Sequence, residues 1–208
     1  MYWRLAFSEG KWYVLVLVAL TALAGWVYPL LTVVPLAGLL FVLYFFRDPR
    51  REPRVNPQAI LAPADGRVTR ICQTDCEFAG EGSWEISIFM SPFNVHVNRS
   101  PLAGEVQKVE HIPGKFIRAM DPAAPLVNER NIILIDGVVP VKVVQVAGIV
   151  ARRVVSWVTE GTWVEQGDKV GMIKFSSCTQ IVFPGHWKPV VEKGDTVLAG
   201  LTILGEKP

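Results

Sequence analysis

Two kinds of pattern divide the chain. From Trp12 to Phe46 an apolar run carries no charged residue, whereas beyond Pro57 short apolar runs alternate with turn residues. The first run is about twice what one helix needs to cross a hydrocarbon core of ~30 Å at ~1.5 Å per residue. Pro29 and Pro35 divide it into two arms, Trp12 to Tyr28 and Leu36 to Phe46, each near or below the length of a single span. The pattern predicts a hydrophobic helical hairpin over residues 1–46 that dips into the bilayer or passes just through it. Arg4 and Lys11 precede the run, and Arg47, Arg50, Arg51 and Arg54 follow it. By the positive-inside bias, this predicts a cell-membrane protein with the following domain on the cytoplasmic side. The run is too long, and its start too acidic at Glu9, for a cleaved signal peptide.

Residues 47–58 hold three prolines and no apolar periodicity, which predicts an extended linker. From residue 59 onward the text reads as strands over 67–72, 84–89, 104–110, 131–135, 139–147, 170–175, 180–183 and 196–198. Helix is scarce, with 114–120 and 150–159 as modest candidates. Val164 to Val170 and Val191 to Val197 repeat the pattern V-E-x-G-D-x-V, a Gly-Asp turn between β-branched runs that suggests hairpins. The prediction is a mainly β domain over residues 59–208, a pseudo-symmetric barrel or sandwich like the lipoyl and biotinyl carriers.

Composition changes this picture little. Half the residues are hydrophobic, and the mean hydropathy of +0.32 traces to the N-terminal run. The net charge of +2 carries no nucleic-acid signature, so no nucleic-acid partner is expected. Cys72, Cys76 and Cys178 fit neither a disulfide framework nor a C-x-x-C motif, and His96, His111 and His186 are too scattered for a metal site.

The chemistry gathers at a few places. Ser176 and Ser177 stand where one apolar run ends and another begins, which places two hydroxyls in a tight bend between buried strands. Such a pair is either a turn that bonds local backbone or a self-processing serine, in which the Ser177 hydroxyl attacks the Ser176 carbonyl. Asp65 lies in an Ala-Asp-Gly turn at a strand start, and His96 is set among strand residues with Asn94, Asn98 and Arg99 near it. Either could be structural; with Ser177 they could also make a base-activated nucleophile. Arg152 and Arg153 follow Gly148 as a solvated basic step or a grip for phosphate. Lys174 is a conceivable attachment lysine if the fold serves as a carrier or scaffold. A hydrolase using Ser177 or Cys178 lacks the G-x-S-x-G elbow.

Seven motifs in register, Phe46-Arg47-Asp48-Pro49, Ala64-Asp65-Gly66, Phe89 to Arg99, His111 to Phe116, Asn128 to Asn131, Gln145 to Gly148 and Gly171 to Phe175, resemble the short, membrane-attached phosphatidylserine decarboxylases. The resemblance implies a proenzyme that splits between Ser176 and Ser177 and turns Ser177 into a covalent pyruvoyl group, its pyruvate cofactor. It implies decarboxylation of phosphatidylserine to phosphatidylethanolamine through a Schiff base with that group. Asp65 and His96 then assist self-cleavage, and His111, Arg152 and Arg153 are candidates for holding substrate. The partners implied are a phospholipid bilayer, phosphatidylserine and the protein's own cleaved second chain, with a homo-oligomer left open. Two departures stand out: the family usually has Gly-Ser at the cleavage point, and longer members carry another His where Phe93 and Asn94 stand here.

Overall fold

In a computed structural model that describes residues 4–53, 55–118, 120–121, 123–149, 153–174 and 177–208, the first four by backbone only, the chain divides at Arg50 into two compact units. The first contains α1 (Arg4–Val27) and α2 (Val33–Phe45) on either side of a 3-10 turn at Pro29–Thr32. Pro29 opens that turn and Pro35 lies in the first turn of α2, where a missing N–H removes no intrahelical bond. The helices run antiparallel, since Gly10 abuts Phe46, Leu17 abuts Gly38 and Gly25 abuts Thr32. Ser8–Val27 is long and apolar enough to cross a membrane. The first arm is therefore longer than the prolines and flanking charges suggested, because the helix continues through Glu9 and Lys11. At ~1.5 Å per residue, the 13 residues of α2 fall short of a full span.

The second unit is mainly β. Its strands are β1 (Ala59–Leu61), β2 (Gly66–Cys76), β3 (Gly80–Met90), β4 (Val97–Arg99), β5 (Gly104–Ile112), β6 (Arg130–Gly137) and β7 (Pro140–Val146). They continue as β8 (Arg153–Ser156), β9 (Trp163–Val164), β10 (Lys169–Lys174), β11 (Ser177–Phe183), β12 (Lys188–Pro189), β13 (Thr196–Val197) and β14 (Ile203–Glu206), with one short helix, α3 (Ala124–Val127). Eight strands form a curled half-barrel in the order β13-β2-β3-β11-β7-β6-β5-β9. Register shifts near Val68, Thr74 and Val106 add the bends that curl it. Two three-stranded sheets, β1-β14-β12 and β4-β10-β8, complete the unit.

Alternation along the strands sets the two faces. Ile86, Ile88, Ile133, Ile135, Val141, Val143, Ile181 and Phe183 join the main core, while Val144, Val146 and Cys178, on the opposite phase, pack with Ala124 of α3. The two V-E-x-G-D-x-V copies fold alike. In each, a glycine at positive φ (Gly167, 89°; Gly194, 107°) sits inside a turn. The following Asp returns its carboxylate to the backbone N–H of the Glu, at 2.9 Å for Asp168 and 2.8 Å for Asp195. Neither turn closes a hairpin: β9 pairs with β5 whereas β10 pairs with β4 and β8, so the first turn hands the chain from one sheet to another. The second does the same between β12 and β13.

Three other expectations change. Residues 114–120 contain no helix among those described; Lys115 bonds through its backbone to Val127 and Glu129 instead, and the Asn128 side chain takes up the N–H and C=O of Ile117. The 150–159 segment holds strand β8, because β-branched Val154 and Val155 pair with β10; residues 150–152 lie outside those described. The linker is docked on the β-unit: Gln166 accepts from Asn56 N–H at 2.8 Å, Pro53 covers Gly167, and Pro57 and Gln58 form a turn before β1.

Candidate active site

Ser177 opens β11, directly opposite Met90 of β3, and is fully buried. The strand before it, β10, ends at Lys174 and belongs to a different sheet. Ser176 and Phe175 themselves lie outside the described residues. Ser177 shares the inward phase of β11 with Thr179, and both hydroxyls donate to the Met90 sulfur, at 3.3 and 3.5 Å. A thioether is a weak acceptor, so the Ser177 oxygen is held in place without having its lone pairs engaged by that contact.

Below it runs a chain of buried amides. Asn131 Nδ2 donates to Gln145 Oε1 (3.0 Å), Gln145 Nε2 to Asn98 Oδ1 (2.8 Å), and Asn98 Nδ2 to Thr179 Oγ1 (3.2 Å) and to the Pro63 carbonyl (3.3 Å). Asn131, Gln145 and Thr179 are cross-strand neighbours in the half-barrel, and Asn98 reaches them from β4 of the smaller sheet. Gly171 of β10 makes room: a Cβ there would approach Gln145 Nε2 to 2.9 Å and collide with the Val155 carbonyl. Buried amides without such partners would cost about 1–3 kcal/mol each, so the chain locks the two sheets in register beside the serine. Sequence reading missed Met90, Thr179, Gln145 and Asn131 as site residues. The signal was there, because Gln145 and Thr179 are polar side chains on the core phase of otherwise aliphatic strands.

His96, also fully buried, precedes β4, and its carbonyl accepts from Ile173 N–H of β10 at 3.3 Å. Its Nδ1 lies 3.0 Å from the Asn94 carbonyl. A carbonyl can only accept, so in the neutral ring Nδ1 carries the proton and Nε2 is the basic nitrogen. Asp65 is engaged elsewhere. Its carboxylate forms a two-pronged pair with Arg51, at 2.5 and 2.7 Å, and accepts from Ala199 N–H at 2.8 Å. Arg51 is thus a core side chain of the β-unit, not a flanking charge for lipid head groups. Gly66, beside Asp65, has positive φ (157°), and a Cβ there would strike the Phe89 carbonyl.

The remaining candidates separate. Arg153 is exposed and pairs with Lys174 at the end of β10; Arg152 lies outside the described residues. Lys174 is buried, whereas a carrier lysine must be presented to solvent, so the attachment reading does not hold. His111, half exposed and 3.8 Å from Glu129, stands on β5, three strands from β11. At ~4.8 Å per strand that is about 14 Å away from Ser177. Cys178 points to the other face. Burial, helped by Glu85 and opposed by a backbone bond at Ile88, pushes its thiol up to about 12. It therefore stays protonated near neutral pH and is no nucleophile. Among the described residues no group of His, Cys, Asp and Glu could hold a metal ion.

A serine buried where the chain passes from one sheet to another, with a buried imidazole just before β4 of the smaller sheet, fits a class of β-domain that can cut its own backbone. The model of the phosphatidylserine decarboxylase family matches residues 39–205, and the chain belongs to that family. It is similar to the phosphatidylserine decarboxylase proenzyme of Symbiobacterium thermophilum, with 45% identity over 204 residues covering 96% of this chain and 94% of the relative. The proenzyme of the same name from Carboxydothermus hydrogenoformans is 41% identical over 202 residues, 96% of this chain and 95% of that one. That of Prosthecochloris aestuarii is 47% identical over 171 residues, 82% and 79% of the two chains.

Proposed function

We propose that this protein decarboxylates phosphatidylserine to phosphatidylethanolamine, using a pyruvoyl group that it makes from Ser177. The observation that carries the reading is the buried Ser177 hydroxyl, resting on the Met90 thioether at the first position of β11. His96 Nε2 accepts the Ser177 proton while the oxygen attacks the Ser176 carbonyl carbon. The C–N bond between the two serines gives way to an ester, and the residue 177 amine is freed. Loss of the Cα proton of residue 177 then breaks its Cβ–O bond and releases the Ser176 carboxylate; the enamine gains a proton at Cβ, and water replaces the resulting imine nitrogen, which leaves as ammonia. Residues 1–176 and 177–208 are the two chains that result.

The residues present suit the product. At position 177 the serine CH₂OH becomes a methyl group, and the Met90 thioether, a tolerable partner for a hydroxyl, is a better one for a methyl. When formed, the group supplies a carbonyl that condenses with the substrate amine and draws electrons as carbon dioxide departs. Arg153 offers a cation for the substrate phosphate. Thr179, oriented by Asn98, keeps the inner wall of β11 fixed beside the reacting centre. Asp65 supports this end of the domain through Arg51. The apolar α1 keeps the protein in the cell membrane, with the β-unit on the cytoplasmic side by the charge bias of Arg47 and Arg50.

The test is denaturing separation with intact mass. The native chain should give two pieces, the shorter with a blocked N-terminus that borohydride reduces. Ser177→Ala should abolish the split, His96→Ala should slow it, and Ser176→Gly should keep or speed it, since glycine relaxes the backbone at the attacked carbonyl. An intact native chain with no reducible carbonyl would overturn the proposal.

A further inference from the structure

The antiparallel ladder brings five strand ends to one place. Ser177 is opposite Met90, Cys178 and Arg130 are both opposite Val146, and Arg130 is opposite Ile112. The described residues of the connections that leave there, 91–96, 113–118, 120–121, 123–129 and 147–149, therefore border the same end of the half-barrel as Ser177. They expose large apolar side chains: Phe93 (66%), Met120 (68%), Leu126 (77%) and Ile149 (52%), with Phe116 less so. At the opposite end, Val138 and Trp163 are exposed, and the Trp163 indole is bonded to Glu165.

This exposure is built into the connections. The Asn94 side chain accepts from Ser91 N–H and Oγ, closing a turn that turns Phe93 outward. Asn128 ties Ile117 to the Ala147 carbonyl, which binds the connection after β5 to the one after β7. Exposed Lys115, Arg118 and Arg153 stand among the apolar groups, against exposed Asp121. Apolar tips ringed by excess positive charge are complementary to an anionic lipid surface.

We infer that this rim inserts into the headgroup region of an anionic phospholipid bilayer and seats the β-domain over its lipid substrate. The inference deepens the decarboxylase reading and rests on it, since the bilayer is where phosphatidylserine lies. The rim brings the end of the sheet that holds Ser177 to the membrane surface, so the headgroup need not leave the bilayer to react.

The experiment uses the full chain in nanodiscs whose lipids carry bromine on the acyl chains and include phosphatidylglycerol. In a Cys72→Ser, Cys76→Ser background, Phe93→Cys, Leu126→Cys and, at the far end of the sheet, Glu77→Cys each receive a fluorescent probe; Cys178 is shielded by burial. Strong quenching of the Phe93 and Leu126 probes but not of the Glu77 probe is expected. Equal quenching at all three sites overturns the inference. A Leu126 probe that ignores brominated lipid but responds to the number of chains per disc assigns the rim to a second copy, and overturns it too. A Phe93→Ser, Met120→Ser, Leu126→Ser variant should lower the ratio of kcat/KM on bilayer to monomeric short-chain phosphatidylserine by roughly tenfold; an unchanged ratio counts against the rim. If the native protein decarboxylates neither substrate, the decarboxylase reading fails, and probe quenching still decides the rim.

Discussion

Replacing Asp65 by Asn tests whether this carboxylate serves structure before chemistry. Asp65 and Arg51 bury each other, with side chains 5% and 7% exposed, and share two short hydrogen bonds. In Asp65→Asn the guanidinium stays buried, but one of the two facing oxygens becomes an NH₂ group, so donor meets donor. Opposite unit charges at about 4 Å interact by roughly 4 kcal/mol at an effective dielectric of 20. Breaking a buried pair from one side costs about 3–5 kcal/mol in comparable cases. We therefore expect a loss of ~3–5 kcal/mol, a large part of a domain stability of about 5–15 kcal/mol. The assay is urea unfolding of the detergent-solubilised full chain in a Ser177→Ala background, which keeps it in one piece, followed by fluorescence of buried Trp187. Arg51→Met with Asp65→Leu, which removes both charges, should recover at least half of that loss, or about 2 kcal/mol. A cost below ~1 kcal/mol for Asp65→Asn would refute the reasoning. If the double variant regains stability in that background, yet fails to split when made with Ser177 in place, Asp65 also acts in the cleavage step.

Asn98→Leu should cost about 3 kcal/mol and slow splitting, because it strands the Gln145 amide in the interior and removes the donor to Thr179 Oγ1; a urea unfolding midpoint equal to the native one would refute this. Because the Cys178 thiol is pushed from 9.0 up to about 12, its contribution to stability is fully present below pH 9 and is lost as pH rises towards 12. The decline is at most about 1.4 kcal/mol per pH unit, and a Cys178→Ser variant should lack it. Iodoacetamide at about pH 8 should label Cys72 and Cys76 in the native protein, and a third label would contradict the burial.

The sequence by itself determined the local elements. The uncharged run from Trp12 to Phe46 could only be a buried or membrane helix pair, and the two prolines marked its turn, because backbone and solvent rules act within a few residues. The V-E-x-G-D-x-V copies announced two like turns for the same reason: an Asp that bonds the backbone N–H three residues before it, and a glycine free to take positive φ, are short-range effects. The motifs around Ser177 and His96 were also legible as marks of the family, since their residue types and order carry the resemblance.

Only the tertiary structure decided what these groups meet. It split β10 and β11 between two sheets, although the text reads as one strand, a bend and another. It gave Asp65 to Arg51 and Ala199, 14 and 134 residues away, and joined Asn98 to Thr179 across 81 residues. The exposed apolar rim likewise comes from connections scattered over 60 positions, brought together by strand register alone. Hydrophobic periodicity states which face of an element is buried. The partner that satisfies a buried polar group, or the surface that forms where several strands end, is chosen by long-range packing, which no local pattern encodes.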